Sequence, residues 1–128
     1  MALTTAMDVE TAHRILASVP HVRRFPVGHL RPPTGLIPSF VRSVGELEFV
    51  LAPRSDSLPG VHMERLAAWI EHDVGDPAGA AEVRAAAAAA PSYVDACVAV
   101  YERIRDRVAS ARHALESAPQ VQAPERRA

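Results

Sequence analysis

The stretch Pro20–Pro38, PHVRRFPVGHLRPPTGLIP, holds five prolines, two glycines, three arginines and two histidines in nineteen residues, with no acid among them. Proline removes a backbone donor and fixes its own φ, so this density interrupts both the alternation of a strand and the repeat of a helix. The segment reads as an irregular basic arm over residues 20–38 that wraps the surface of a domain built by its neighbours. A short strand over Val22–Val27 is compatible with the composition, but no partner strand is evident. Fold class then rests on the flanking segments, and these are helical.

Upstream, Thr5 and Asp8 have the spacing of a capping box, and Val9, Ala12, Leu16 and Val19 follow at helical intervals until Pro20 stops the run. Downstream, the alternation through Glu46–Phe49 competes with a helical repeat at Val41, Val44, Leu47 and Leu51. Ser43 followed by Glu46 decides for a helix that ends before Pro53. Met63, Leu66, Ala67, Ile70 and Val74 form one apolar face, closed by Gly75. Asp76 and Pro77 then start an alanine-rich helix to Ala90, and Ser92 with Asp95 opens the longest helix, to about Ser117. In that helix Val94, Tyr101, Val108 and Leu115 recur every seven, with Val98, Ile104 and Ala111 between them, which predicts a packing seam with a buried first half and a protruding second half. The expected architecture is an all-α domain over residues 1–117: four to five helices, the irregular arm after the first, a long C-terminal helix, and a disordered tail over residues 118–128.

Composition narrows the class. All fourteen cations are arginine, which reads first as genome bias, so their distribution carries more weight than their number. Thr11–Gly45 contains five arginines and no acid, whereas Glu46 onward contains thirteen acids against nine arginines. Cys97 stands alone, which excludes an internal disulfide and a four-cysteine zinc site and suits a reducing, cytoplasmic setting. The longest apolar runs, Ala85–Ala90 and Ala96–Tyr101, fall far short of a membrane span, and acids at Asp8 and Glu10 stand where a secretion signal would carry positive charge.

Several short constellations invite a chemical reading. His72 and Asp73 in EHDVGDP resemble the HDIGKP turn of the HD-type metal-dependent phosphohydrolases, which implies a helical hydrolase using His62, His72 and Asp73. The competing reading is a solvated helix end, with His72 against the helix dipole. Glu10 and His13 have the Glu-x-x-His spacing of di-iron bundles, but only one copy is present. On a single helix, His62, Trp69 and Asp73 share a flank near Arg65, enough to line a small polar pocket; the plainer reading makes Trp69 a core-edge anchor. Cys97 reads as a small core residue.

The runs DSLPGVH, LAAW and VGDPAGAAEV together resemble an uncharacterised family of short all-helical prokaryotic proteins. The resemblance spans residues 25–108. It implies an all-helical domain with His62 and Trp69 as focal positions, and brings no known activity.

The function expected from these readings is that of a non-enzymatic accessory or interaction protein without cofactor. Arg23, Arg24, His29, Arg31 and Arg42 would engage an acidic protein partner, an anionic ligand or a second copy of the chain. Nucleic-acid binding ranks lower, because the net charge is -1 and no aromatic stacking set accompanies Phe25 and Phe40. An internal alternative competes: the arm folds over the acidic helices and pairs with Glu64, Glu71, Asp73 or Asp76.

Overall fold

The computed structural model of the chain describes residues 7–54 and 56–117. The first helix, α1 (Val9–Leu16), is capped by Asp8, whose carboxylate accepts the Thr11 amide at 2.6 Å; Thr5, the expected cap, lies outside the described residues, as does the 118–128 tail. Ala12 and Ile15 are buried while Val9 is exposed, so the packed face is turned from the expected one.

The all-α expectation fails at the arm. A single 3-10 turn at His21–Arg23 leads into strand β1 (Phe25–Arg31), which returns through Pro32–Thr34 as β2 (Gly35–Val41), and a short β3 (Leu58–Gly60) completes an antiparallel sheet of order β2-β1-β3. The prolines permit this because of where they fall in the register. Pro26 pairs with Phe40 and Pro38 with Gly28, so both occupy the same alternate set of pairs. Those pairs exchange no hydrogen bonds between β1 and β2, and the ladder runs through Phe25–Val41, Val27–Ser39, His29–Ile37 and Arg31–Gly35. Pro26 turns its missing donor toward the side of β1 that β3 does not reach, since β3 covers only Gly28–Leu30. Pro38 turns its own outward, to the open edge of β2. The sequence period was broken, yet no obligatory donor was lost.

Gly35, at φ 93°, closes the hairpin turn in a conformation that favours glycine. Gly28 and Gly60 face each other across β1 and β3 and leave a shallow seat filled by the Leu36 side chain.

Phe25, Val27 and Val41 turn one face of the sheet into the core, and the helices complete it. Helix α2 (Val44–Leu51) begins at Ser43, whose hydroxyl accepts the Glu46 amide at 3.1 Å, while Glu46 reaches back to the Arg42 amide. Helix α3 (Met63–Trp69) widens into a π-helical turn over Ile70–Val74, and Gly75, at φ 84°, ends it. Helix α4 (Pro77–Ala89) and the long α5 (Tyr93–Glu116) follow, with α1, α2 and α4 packed along α5. The buried stripe of α5 is Cys97, Val100, Ile104, Val108 and Ala111, whereas Val94 and Val98 are exposed. The packing seam is therefore rotated from the heptad, and its second half, expected to protrude, is buried as far as Ala111. No helix among the described residues is long and apolar enough to cross a membrane.

The joint between α4 and α5 is polar and buried. Asp76, 2 % exposed, caps α4 through the Gly79 amide at 3.2 Å and accepts two hydrogen bonds from Arg107 of α5, at 2.7 and 2.6 Å. Such a bidentate pair is both strong and directional. The pairing holds Arg107 above the ordinary arginine range, with burial acting against it. A Cβ on Gly79 would overlap Asp76 Oδ2 and come within 2.8 Å of Arg107 Nε. Helix propensity alone makes Gly79→Ala stabilising by about 1 kcal/mol. Because the methyl group displaces this ion pair, Gly79→Ala is expected instead to destabilise the protein by about 2 kcal/mol or more in urea unfolding; a midpoint that rises would show the joint to be dispensable.

Candidate interaction surface

Four carboxylates of the acidic helices, Glu64, Glu71, Asp76 and Glu82, find cations outside the arm. Arg84 of α4 bridges Glu64 at 3.0 Å and Glu71 at 2.9 Å, and Arg107 holds Asp76 with Glu82 at 3.6 Å. Glu71 and then Glu64 hold Arg84 above the usual arginine range. Among the described residues, no arm arginine lies within ion-pair distance of Glu64, Glu71, Asp73 or Asp76.

The five arm residues singled out from the sequence have separate fates. Arg42 is a clasp: its Nε donates to Val19 O at 2.9 Å while the Val19 amide donates to Arg42 O at 2.7 Å, tying the start of the arm to its end. Arg31, at the hairpin turn, pairs with exposed Asp56 at 3.2 Å, an arrangement worth about 1 kcal/mol at most. Arg23 is exposed, and its carbonyl accepts the Trp69 indole N–H at 2.6 Å. Arg24 donates to His21 O and lays its guanidinium over the Phe40 ring, 4.4 Å from the centroid. His29 sits mid-strand and shares no hydrogen bond with the other four. Arg24 and Arg31 lie roughly 20 Å apart along β1, so the arm presents separated charges at its two ends instead of one basic cluster.

Between those ends lies an apolar surface that the composition did not reveal. Side chains alternate across a sheet, so the face turned away from the core carries Pro26, Gly28 and Leu30 from β1, Leu36, Pro38 and Phe40 from β2, and Leu58 and Gly60 from β3. No polar side chain is among them. Leu36 is 56 % exposed and Phe40 51 %, with the Arg24 guanidinium lying over the Phe40 ring. The signal was present as the even positions of FPVGHLR and GLIPSFV, but it has meaning only once the register is known.

On the core side, the hairpin overhangs α2 and encloses an open groove of about 510 Å³ lined by His29, Ser39, Phe40, Val41, Gly45, Glu46, Phe49 and Val50. Phe49 stands 71 % exposed on its wall with Arg54 over the ring at 5.2 Å. His29 Nδ1 is buried there without a hydrogen-bond partner, a condition that costs about 1–3 kcal/mol while it lasts.

The residues expected to form a polar pocket sit apart. Trp69 is 5 % exposed, packs on Phe25 at 5.5 Å between ring centroids and spends its indole N–H on Arg23. His62 caps α3, its Nδ1 accepting the Arg65 amide at 3.2 Å, and Arg65 is exposed. Asp73 lies in the π-helical turn, whose extra width rotates it off the flank that an α-helix would share. His72 and Asp73 stand a full helix, roughly 15 Å, from His62. No three histidine, cysteine or acidic side chains converge in a metal-ligating arrangement among the described residues, so the hydrolase reading gains no support.

Tyr93 has a structural task. Its hydroxyl donates to Pro59 O and accepts the Val61 amide at 2.9 Å, closing the outer edge of β3. The outer edge of β2 receives no such cover among the described residues. Comparison of the chain with protein families, curated proteins and solved structures finds no match.

Burial pushes the Tyr93 phenol up to about 12, with the Val61 backbone hydrogen bond acting against it and neighbouring Cys97 adding to it. The neutral form is therefore favoured by folding, and its stabilisation is complete below the unfolded value near 10 and lost as pH rises to about 12. Unfolding midpoints should fall across that window in the natural protein and fall less in Tyr93→Phe. Equal slopes for the two proteins would place the hydroxyl outside the β3 edge.

Proposed function

We propose that this protein is a non-enzymatic interaction module that binds an acidic protein partner through its β-hairpin. The observation that carries this reading is that the charge at the start of the arm is not consumed by the acidic helices: Arg84 and Arg107 occupy Glu64, Glu71 and Asp76, Arg23 and Arg24 pair with no acid among the described residues, and Arg31 meets only the exposed Asp56. The uncovered face between the arginines adds the apolar centre that a specific interface needs, with charge confined to its margins. Opposite charge at the rim steers encounter and selects the partner, while Phe40 and Leu36 supply desolvated contact.

A second copy of the chain suits this face less well. Two-fold pairing brings the same patch onto itself, and would set Arg24 and Arg31 against arginines of the other copy. A partner whose apolar residues are flanked by aspartate or glutamate meets no such repulsion.

The test is proximity cross-linking in the native host to identify a partner, followed by titration of the two purified proteins. Reversing Arg23, Arg24 and Arg31 to glutamate should weaken binding at least about tenfold and flatten its salt dependence. The fold should survive, since none of the three pairs with a buried acid. Unchanged affinity in a folded triple variant would end this reading.

A further inference from the structure

The sheet has two edges, and they are treated differently. Tyr93 closes β3, whereas β2 runs its seven residues along the surface, exposed except for Val41. Its backbone chemistry follows from the register. The ladder to β1 uses Gly35, Ile37, Ser39 and Val41, so Leu36, Pro38 and Phe40 direct their backbone groups outward. The free edge offers two donors, the amides of Leu36 and Phe40, and three carbonyl acceptors. Pro38 removes the donor between them, which discourages indiscriminate strand pairing and leaves a short, specific site.

We propose that an extended, acid-bearing segment of the partner protein adds to this edge as a fourth strand and lodges an apolar side chain in the groove between β2 and α2. This rests on the acidic-partner reading above and specifies its geometry. Three features select that occupant. First, successive side chains of an added strand point to opposite faces, so one set enters the groove beside Phe49 and the other lies beside Phe40 on the outer face. Second, each of those rings carries a guanidinium, Arg54 over Phe49 and Arg24 over Phe40, so a carboxylate next to an apolar residue finds a cation on either face. Third, half-buried His29 lines the same groove, so the occupant's side chain meets a polar imidazole beside the Phe49 ring. Glu46 on the groove wall is engaged by the Arg42 amide, so the acid nearest the site is already directed toward the backbone.

The probe is a synthetic linear dodecapeptide, chosen by phage display of random peptides against the full chain. Selected peptides should place aspartate or glutamate beside aromatic or β-branched residues. On titration, hydrogen exchange at the Leu36 and Phe40 amides should slow at least tenfold, and Phe49→Ala, at an exposed position that leaves the core intact, should weaken binding about tenfold. Selection of peptides without acids, or binding that leaves both amides exchanging as before, overturns the proposal. If the edge amides are unaffected while the arginine reversals still abolish binding of the natural partner, strand addition falls and the acidic-partner reading stands. If the peptide protects the edge but the reversals leave the natural partner bound, the acidic-partner reading falls.

Discussion

The bidentate contact between Asp76 and Arg107 organises the helical half of this protein. The carboxylate of Asp76 caps α4 and anchors α5, while the backbone amide of the same residue donates to Ile70 O at 2.9 Å, so one residue places three elements in fixed relation. Burying the pair carries a desolvation cost, which the additional hydrogen bond to the Gly79 amide helps to offset. Gly79 is the silent condition for the contact, because a side chain there would overlap the Asp76 carboxylate and crowd the Arg107 guanidinium. Arg84 plays the corresponding role on the surface, linking α3 and the π-helical turn to α4 through Glu64 and Glu71.

With those acids engaged, the β-hairpin is left with its own charge balance. It is held to the helical body by the apolar contact of Phe25 with Trp69, by the Trp69 indole on Arg23 and by the Arg42–Val19 clasp. All three lie near the start and end of the arm. Toward the turn, β1 is held by its pairing with β3, whereas β2 keeps Leu36 and Ile37 exposed, which leaves its outer side available to a partner.

Local rules made the helices legible. Ser43, Asp76 and Ser92 cap the helices that follow them, Pro77 occupies a first position and Gly75 a left-handed terminus, because each depends on residues within one turn. The same locality explains the failures. A proline-rich run looks irregular when judged against its own neighbours, whereas Pro26, Pro38 and Pro59 are compatible with strands because each turns its missing donor away from a ladder. The heptad on α5 was legible, but the buried stripe rotated toward Cys97 and Val100 because the faces of α1, α2 and α4 decide which side is covered.

For the candidate surface, the sequence by itself determined the inventory: an acid-free segment bearing Arg23, Arg24 and Arg31, with Phe40 and Phe49 close by in the chain. It could not assign that charge an outward direction, since Arg84 and Arg107 were equally plausible partners for solvent. Only the tertiary structure paired the later acids, bringing Arg107 to Asp76 across thirty-one positions and Arg84 to Glu64 across twenty. Hydrogen bonds and ion pairs act over a few ångströms in space without regard to separation along the chain, so composition can count charges and only folding can pair them.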